Sequence, residues 1–342
     1  MDDNKIFKIL SIDGGGIKGL YSARILDKFE KKFNCKTSDY FDMICGTSTG
    51  GLIALAITSL ISAENICNFY EQKGELIFPK HKVIKIPFIG KIDEGFLKQI
   101  AFGGKFSNKG LKESLNEIFG EKLMGEANNL LCIPSYSVTE AKPKVFKYDH
   151  KEGSLSRDNH AKMVDIALAT SAAPTYFPMA ELAYYNNEQF IDGGIWANNP
   201  TLVGLLEALN CFVGKDKQYK SIKILSLSSL STTGGDVTGL KNERSFKDWG
   251  SELFETSMNG QAFFTDFFLS KIKEISDINI DYTRIPSAAI SKEQESIIQL
   301  DVANKEAYDL MKIKADDQAL IFEKTREIEY FFTTPKTYIT NG

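Results

Sequence analysis

"YFDMICGTSTGGLIALAIT", residues 40–58, reads as a strand, a tight turn and a helix in one line. Residues 40–45 have the short apolar run of a buried strand, and from Ser48 onward the apolar residues continue as a buried helix. Between them Gly46-Thr47-Ser48-Thr49-Gly50 fits G-x-S-x-G, the sharp turn that lifts a serine out of the chain at the end of a strand. Glycines two residues to either side let neighbouring chain pass without side-chain clashes. Ser48 then stands at a helix N-terminus, where the dipole favours developing negative charge. It is the candidate nucleophile, with Thr49 beside it in a supporting position.

An earlier stretch, "KILSIDGGGIKGL" at 8–20, repeats the strand–turn–helix pattern. Gly14, Gly16 and Gly19 satisfy G-x-G-x-x-G, the phosphate turn of dinucleotide-binding folds. Such a fold places an acidic residue at the end of the second strand to hold a ribose. Asp39 and Asp42 are near the required count, but that strand runs into "GTSTGG" instead. The glycines therefore read as an oxyanion hole, with Gly14, Gly15 and Gly16 offering consecutive N–H groups that no side chain obstructs. A dinucleotide-binding module is the competing reading. Two strand–helix units in succession predict a parallel sheet covered on both faces.

The base is not an obvious histidine. His81, His150 and His160 sit in charged, loop-like strings and read as surface residues. No histidine follows Asp192, so the order Ser…Asp…His is closed to it; Asp149 with His160 is the triad left over. Asp192 ends an apolar strand at "FIDGG", where Gly193 and Gly194 leave space around the carboxylate and let the chain turn away. A carboxylate bonded directly to Ser48 can take its proton. Because an ordinary aspartate has a pKa of about 3.9, a partly desolvated site must raise it.

Composition narrows the partners. The 342 residues are 43% hydrophobic and 25% charged, enough for a sizeable core. A net charge of −4, from 41 basic and 45 acidic residues, argues against nucleic acid. Five scattered cysteines without C-x-x-C indicate neither a disulfide framework nor a metal site, and Cys45 and Cys132 read as buried thiols. The N-terminus is acidic where a secretory signal is basic, and the apolar run 50–62 is shorter than the roughly 20 residues of a membrane span. These features predict a reduced, cytoplasmic protein. Residues 78–112 differ in character: eight lysines with Phe88, Phe96, Phe102 and Phe106 make a basic, aromatic insertion or lid-like segment, which reads equally as a contact for an anionic membrane surface and as a solvated variable loop. Regular patterns then resume, mainly helical in 240–342, and no linker divides the chain, so 1–342 reads as one domain.

With these motifs in place the sequence resembles the patatin-like phospholipases. "DGGGIKG" (13–19), "GTSTGG" (46–51) and "DGG" (192–194) match that family's oxyanion, nucleophile and acid motifs in order and spacing. "ATSAAPTYFP" (169–178), "ANNPT" (197–201) and "DYTRI" (281–285) look like further family signatures, whereas "LSLSSLSTTGG" (225–235) departs from the family's Gly-Thr-Gly turn. The resemblance implies an α/β three-layer sandwich, its mainly parallel central sheet flanked by helices. It implies a Ser48–Asp192 dyad that hydrolyses fatty-acyl esters of membrane phospholipids through an acyl-enzyme, with Lys18 in the family's supporting basic position and no metal or cofactor. Some bacterial members of similar size and layout are antiviral effectors switched on by a cyclic nucleotide. A cyclic nucleotide activator is therefore implied, with no residue assigned to it. A constitutive lysophospholipase or acyl thioesterase is the alternative, and a homo-oligomer is compatible with either.

Overall fold

Strand β1 (Ile6–Ile12) lies in parallel beside β2 (Met43–Gly46), with Ile12 opposite Gly46, so the two glycine-containing turns open at the same sheet edge. The computed structural model from which this is taken describes residues 5–80, 104–230, 242–243, 249 and 252–340, and the backbone of 83–86 and 90–93. On the far side of β1 run β9 (Ser221–Leu227) and β10 (Asn279–Ile285), and on the far side of β2 runs β5 (Leu130–Ser137), all parallel. Every β1 residue from Phe7 to Ile12 is buried, as a strand covered on both faces must be. Alternation of side chains divides the coverage. Ser11 and Cys45 face the helix Thr201–Glu207: Thr201 donates to the Ser11 hydroxyl at 2.8 Å, and a methyl on Gly204 would overlap the Cys45 sulfur. The opposite face carries α1 (Gly19–Phe33) and α2 (Thr49–Thr58), with α3 (Ala63–Ile77) against α1. Helices on both faces of a mostly parallel sheet are the expected three layers.

Beyond β5 the sheet changes sense. The strands β6 (Lys142–Lys147), β7 (Ala180–Leu182) and β8 (Glu188–Asp192) are antiparallel to their neighbours. β6 occupies one edge of β5 from Cys132 to Ser137. The other edge is shared end to end: β2 pairs with its lower half, where Cys45 faces Cys132, and β8 with its upper half, where Asp192 faces Ser135. Three residues of strand, about 10 Å, separate those two pairings. The 46–48 turn crosses that gap. This arrangement brings residues 48 and 192 together across 144 positions of sequence.

The C-terminal third is helical at Glu252–Ile275, Lys305–Phe322 and Arg326–Thr333. It also supplies β10, and around Leu300 it leaves the helical conformation that predominates across 240–342. Most of the 78–112 expectation falls outside the described residues, which hold there an antiparallel pair β3 (Val83–Ile86) and β4 (Gly90–Asp93), and the helix Lys109–Phe119. Residues 231–235 of the departing "LSLSSLSTTGG" stretch also lie outside. Cys45 and Cys132 are buried as expected.

Candidate active site

Ser48 has φ 54° and ψ −123°, a left-sided conformation in which a side chain costs about 1–3 kcal/mol. The turn is held there by close packing and hydrogen bonds. The Ser48 N–H donates to Thr170 Oγ1 at 3.0 Å, and that hydroxyl donates in turn to the Pro134 carbonyl at 2.6 Å. Thr47 Oγ1 donates to the Ala197 carbonyl at 2.6 Å, and the Gly50 N–H to the Thr47 carbonyl at 2.8 Å. A methyl at Gly50 would overlap the Ile12 carbonyl oxygen, which explains the second glycine of the motif.

Asp192 is 1% exposed and Ser48 is 7% exposed. The carboxylate accepts the Gly194 N–H at 2.7 Å and interacts with the Ser48 hydroxyl. Burial raises its pKa from the usual 3.8 to about 7, outweighing those two hydrogen bonds, which act to lower it. A carboxylate titrating near neutrality is a competent base for a hydroxyl in contact with it. Gly193 does not line the cleft; its hydrogen side sits against the Pro134 carbonyl, where any side chain would collide.

The glycine turn is anchored on three sides. Asp13, buried at the end of β1, pairs with Arg284 of β10 at 2.6 Å, and Arg284 also donates to Ser226 Oγ at 2.6 Å. Ser229 Oγ donates to the Gly14 carbonyl at 2.7 Å, and the Ile17 N–H to the Leu300 carbonyl at 2.9 Å. The Gly14 N–H donates to the Asn198 carbonyl at 3.0 Å, so Gly14 is not an oxyanion donor in this geometry. Among the described residues the N–H groups of Gly15, Gly16 and Thr49 have no acceptor, and all three residues line the cleft with Ser48. Gly16 has φ 58°, and a methyl there would overlap the Leu300 carbonyl oxygen. The Thr49 hydroxyl is bonded to the Tyr70 hydroxyl. Lys18 is buried but does not line the cleft; burial lowers its pKa, opposed by the Glu255 carboxylate.

A cleft that opens to solvent lies over these groups. Apart from Ser48, Thr49, Ser171 and Asp192 its walls are mainly apolar, among them Ile77, Phe78, Leu111, Phe177, Phe254 and Met258. Polar chemistry at the base of an apolar cleft suits an ester on an aliphatic chain.

The histidines stay apart from it. His150 is buried, not on the surface as expected, because its Nε2 bonds Glu207 at 3.0 Å and its ring packs on Phe212. It lines a different cavity together with Asp149 and His160. Asp149 accepts the N–H groups of Arg157, Asp158 and Asn159 at 2.7, 2.6 and 2.9 Å, a loop-capping role that leaves no Ser48 triad there. His81 lies outside the described residues. Asp42 accepts the N–H groups of Lys8, Thr337 and Tyr338 at the opposite end of the sheet, so it cannot serve a ribose beside the glycine turn. Thr170, Asn198 and Arg284 were not singled out one by one from sequence, although each falls within a stretch that resembles a family signature.

A family model described as "Patatin-like phospholipase" matches residues 10–205, more than half of the chain. The chain belongs to the patatin-like phospholipase family. As a patatin-like phospholipase it is a hydrolase of the α/β three-layer type. Among its relatives, a "cGAMP-activated phospholipase" of Pseudomonas aeruginosa is 29% identical over 92% of this chain and 88% of its own length. A protein of the same description from Escherichia coli is 28% identical over 97% of this chain and 94% of its own. A "Patatin-like protein 2" of Oryza sativa subsp. indica is 33% identical over 63% of this chain and 56% of its own. Among the described residues no helix is long and apolar enough to cross a membrane.

Proposed function

We propose that this patatin-like phospholipase cleaves fatty-acyl esters of membrane phospholipids with Ser48 as nucleophile and Asp192 as its base. The observation that carries the reading is the Ser48 hydroxyl set against a buried carboxylate that titrates near pH 7, at the base of an apolar cleft. Ionised Asp192 accepts the Ser48 proton as Oγ attacks the acyl carbon. The carbonyl electron pair moves onto oxygen, where the N–H groups of Gly15, Gly16 and Thr49 stabilise it. Protonated Asp192 then donates to the departing lysolipid oxygen, leaving the acyl chain on Ser48. In the second half a water gives its proton to Asp192 and adds to the acyl carbon. Collapse returns that proton to Ser48 Oγ and frees the fatty acid.

The enzyme meets its substrate from the cytoplasm as a peripheral membrane protein. Two relatives that match over more than nine-tenths of this chain are named as cGAMP-activated, which supports a cyclic nucleotide switch here as well.

The test is fatty-acid release from mixed phospholipid vesicles by wild type, Ser48→Ala and Asp192→Asn, with and without cGAMP. Release by wild type alone, and only with cGAMP, is the expected result. Equal release without ligand would identify a constitutive hydrolase. Wild-type turnover in Asp192→Asn would remove Asp192 from the mechanism.

A further inference from the structure

A second cavity adjoins the catalytic cleft. It lies between α2, α3 and the helix Lys109–Phe119, and it shares Leu52, Phe69 and Tyr70 with the cleft as a common wall. The same three helices line both spaces. Leu111 faces the cleft and Leu115, one turn on, faces the second cavity; α2 gives Thr49 to the first, and Ile53 and Ala56 to the second. The lining is apolar within and polar at the rim, where Asn65, Asn68 and Gln72 are exposed. Lys73 and Glu117 also lie in that lining, and pair at 2.6 Å between α3 and the helix Lys109–Phe119, leaving no net charge from these two.

We propose that this groove seats the second acyl chain of a diacyl phospholipid while the scissile chain lies in the catalytic cleft. The inference rests on the acyl-hydrolase reading above and names its substrate class, a diacyl lipid in preference to a monoacyl one. Two observations support that occupant. First, the two chains of a glycerophospholipid leave neighbouring carbons, so the second seat must begin close to the nucleophile. Leu52, on the shared wall, is one helical turn from Ser48, about 6 Å along α2. Second, the wall is not a passage for one long chain. The Tyr70 hydroxyl is bonded to the Thr49 hydroxyl and donates to the Thr49 carbonyl at 3.4 Å, which pins the ring between the two spaces.

The test compares a diacyl phosphatidylglycerol with its monoacyl counterpart in the same detergent mixed micelles, with cGAMP present. Wild type should show the higher kcat/KM on the diacyl lipid. Ile118→Trp, from a half-buried residue of the groove, should lower the diacyl kcat/KM by about tenfold, the equivalent of roughly two buried methylenes, and leave the monoacyl value within about twofold. Asn65→Trp fills the groove from its exposed rim and should reproduce the selectivity should Ile118→Trp fail to fold. Equal slowing on both lipids, or an unchanged diacyl rate in a folded variant, would overturn the proposal. Wild-type silence toward both lipids would instead defeat the acyl-hydrolase reading itself.

Discussion

Replacing Asp192 with asparagine should stabilise the protein while it inactivates it, and the gain should depend on pH. In the native state the carboxyl titrates at about 7, against 3.8 for an ordinary aspartate. Below about pH 3.8 folded and unfolded chains both hold the proton, and the group contributes nothing to the pH dependence. Between 3.8 and 7 only the native state holds it. The native state therefore binds the extra proton, and the unfolding free energy falls by about 1.4 kcal/mol for each unit that pH rises. The difference, 7 − 3.8, is about 3 units, so close to 4 kcal/mol is lost by pH 7 and no more above it. Asparagine keeps the shape, still accepts the Gly194 N–H, and does not titrate. Urea unfolding of both proteins from pH 4 to 8.5 should show the Asp192→Asn advantage growing by about 4 kcal/mol up to pH 7, then levelling. Wild-type kcat/KM should rise through an apparent pKa near 7 over the same range, because only the ionised form accepts the Ser48 proton. Stability curves that run parallel across this range would refute the reasoning, since they would mean that burial does not hold Asp192 neutral.

Ser48→Gly should abolish activity yet raise the unfolding free energy by about 1 kcal/mol, because glycine tolerates φ 54°; Ser48→Ala, equally inactive, should show no such gain from strain relief in the same melts. Thr170→Val removes the acceptor of the Ser48 N–H and the donor to Pro134, and should lower kcat more than it raises KM, with Thr170→Ser restoring most of the rate. Arg284→Met leaves Asp13 buried without its partner and should cost about 3–5 kcal/mol in chemical denaturation; a loss under about 1 kcal/mol would show that this pair does not hold the glycine turn.

The two strand–turn–helix units were legible in the sequence because each carries its signal locally. Apolar runs bounded by glycines define β1–α1 and β2–α2 without help from elsewhere. The placement of Asp192 was less accessible. Its strand runs antiparallel to β5 and meets β2 end to end, a relation fixed by pairing between distant segments and not by any local pattern. The glycine run shows the same limit. Three consecutive N–H groups look equivalent in sequence, yet the Asn198 carbonyl, 184 positions away, takes the one from Gly14 and leaves those of Gly15 and Gly16. His150 sits in a charged string that reads as surface, and is buried only because Glu207 and Phe212 arrive from a later helical segment to receive it.

The match to the family model ends at residue 205, but the turn beside Ser48 is fastened from beyond that point by Ser229, Arg284 and Leu300. A gene trimmed to the matched region would encode both Ser48 and Asp192 on an incomplete scaffold, missing β9 and β10 along with all three fastenings. Chimaeras between relatives face the same constraint. The segment 13–18 should be exchanged as a unit with 226–229 and 284–300, its neighbours in space, and a crossover that separates them would leave Ser48 intact and the glycine turn beside it unsupported.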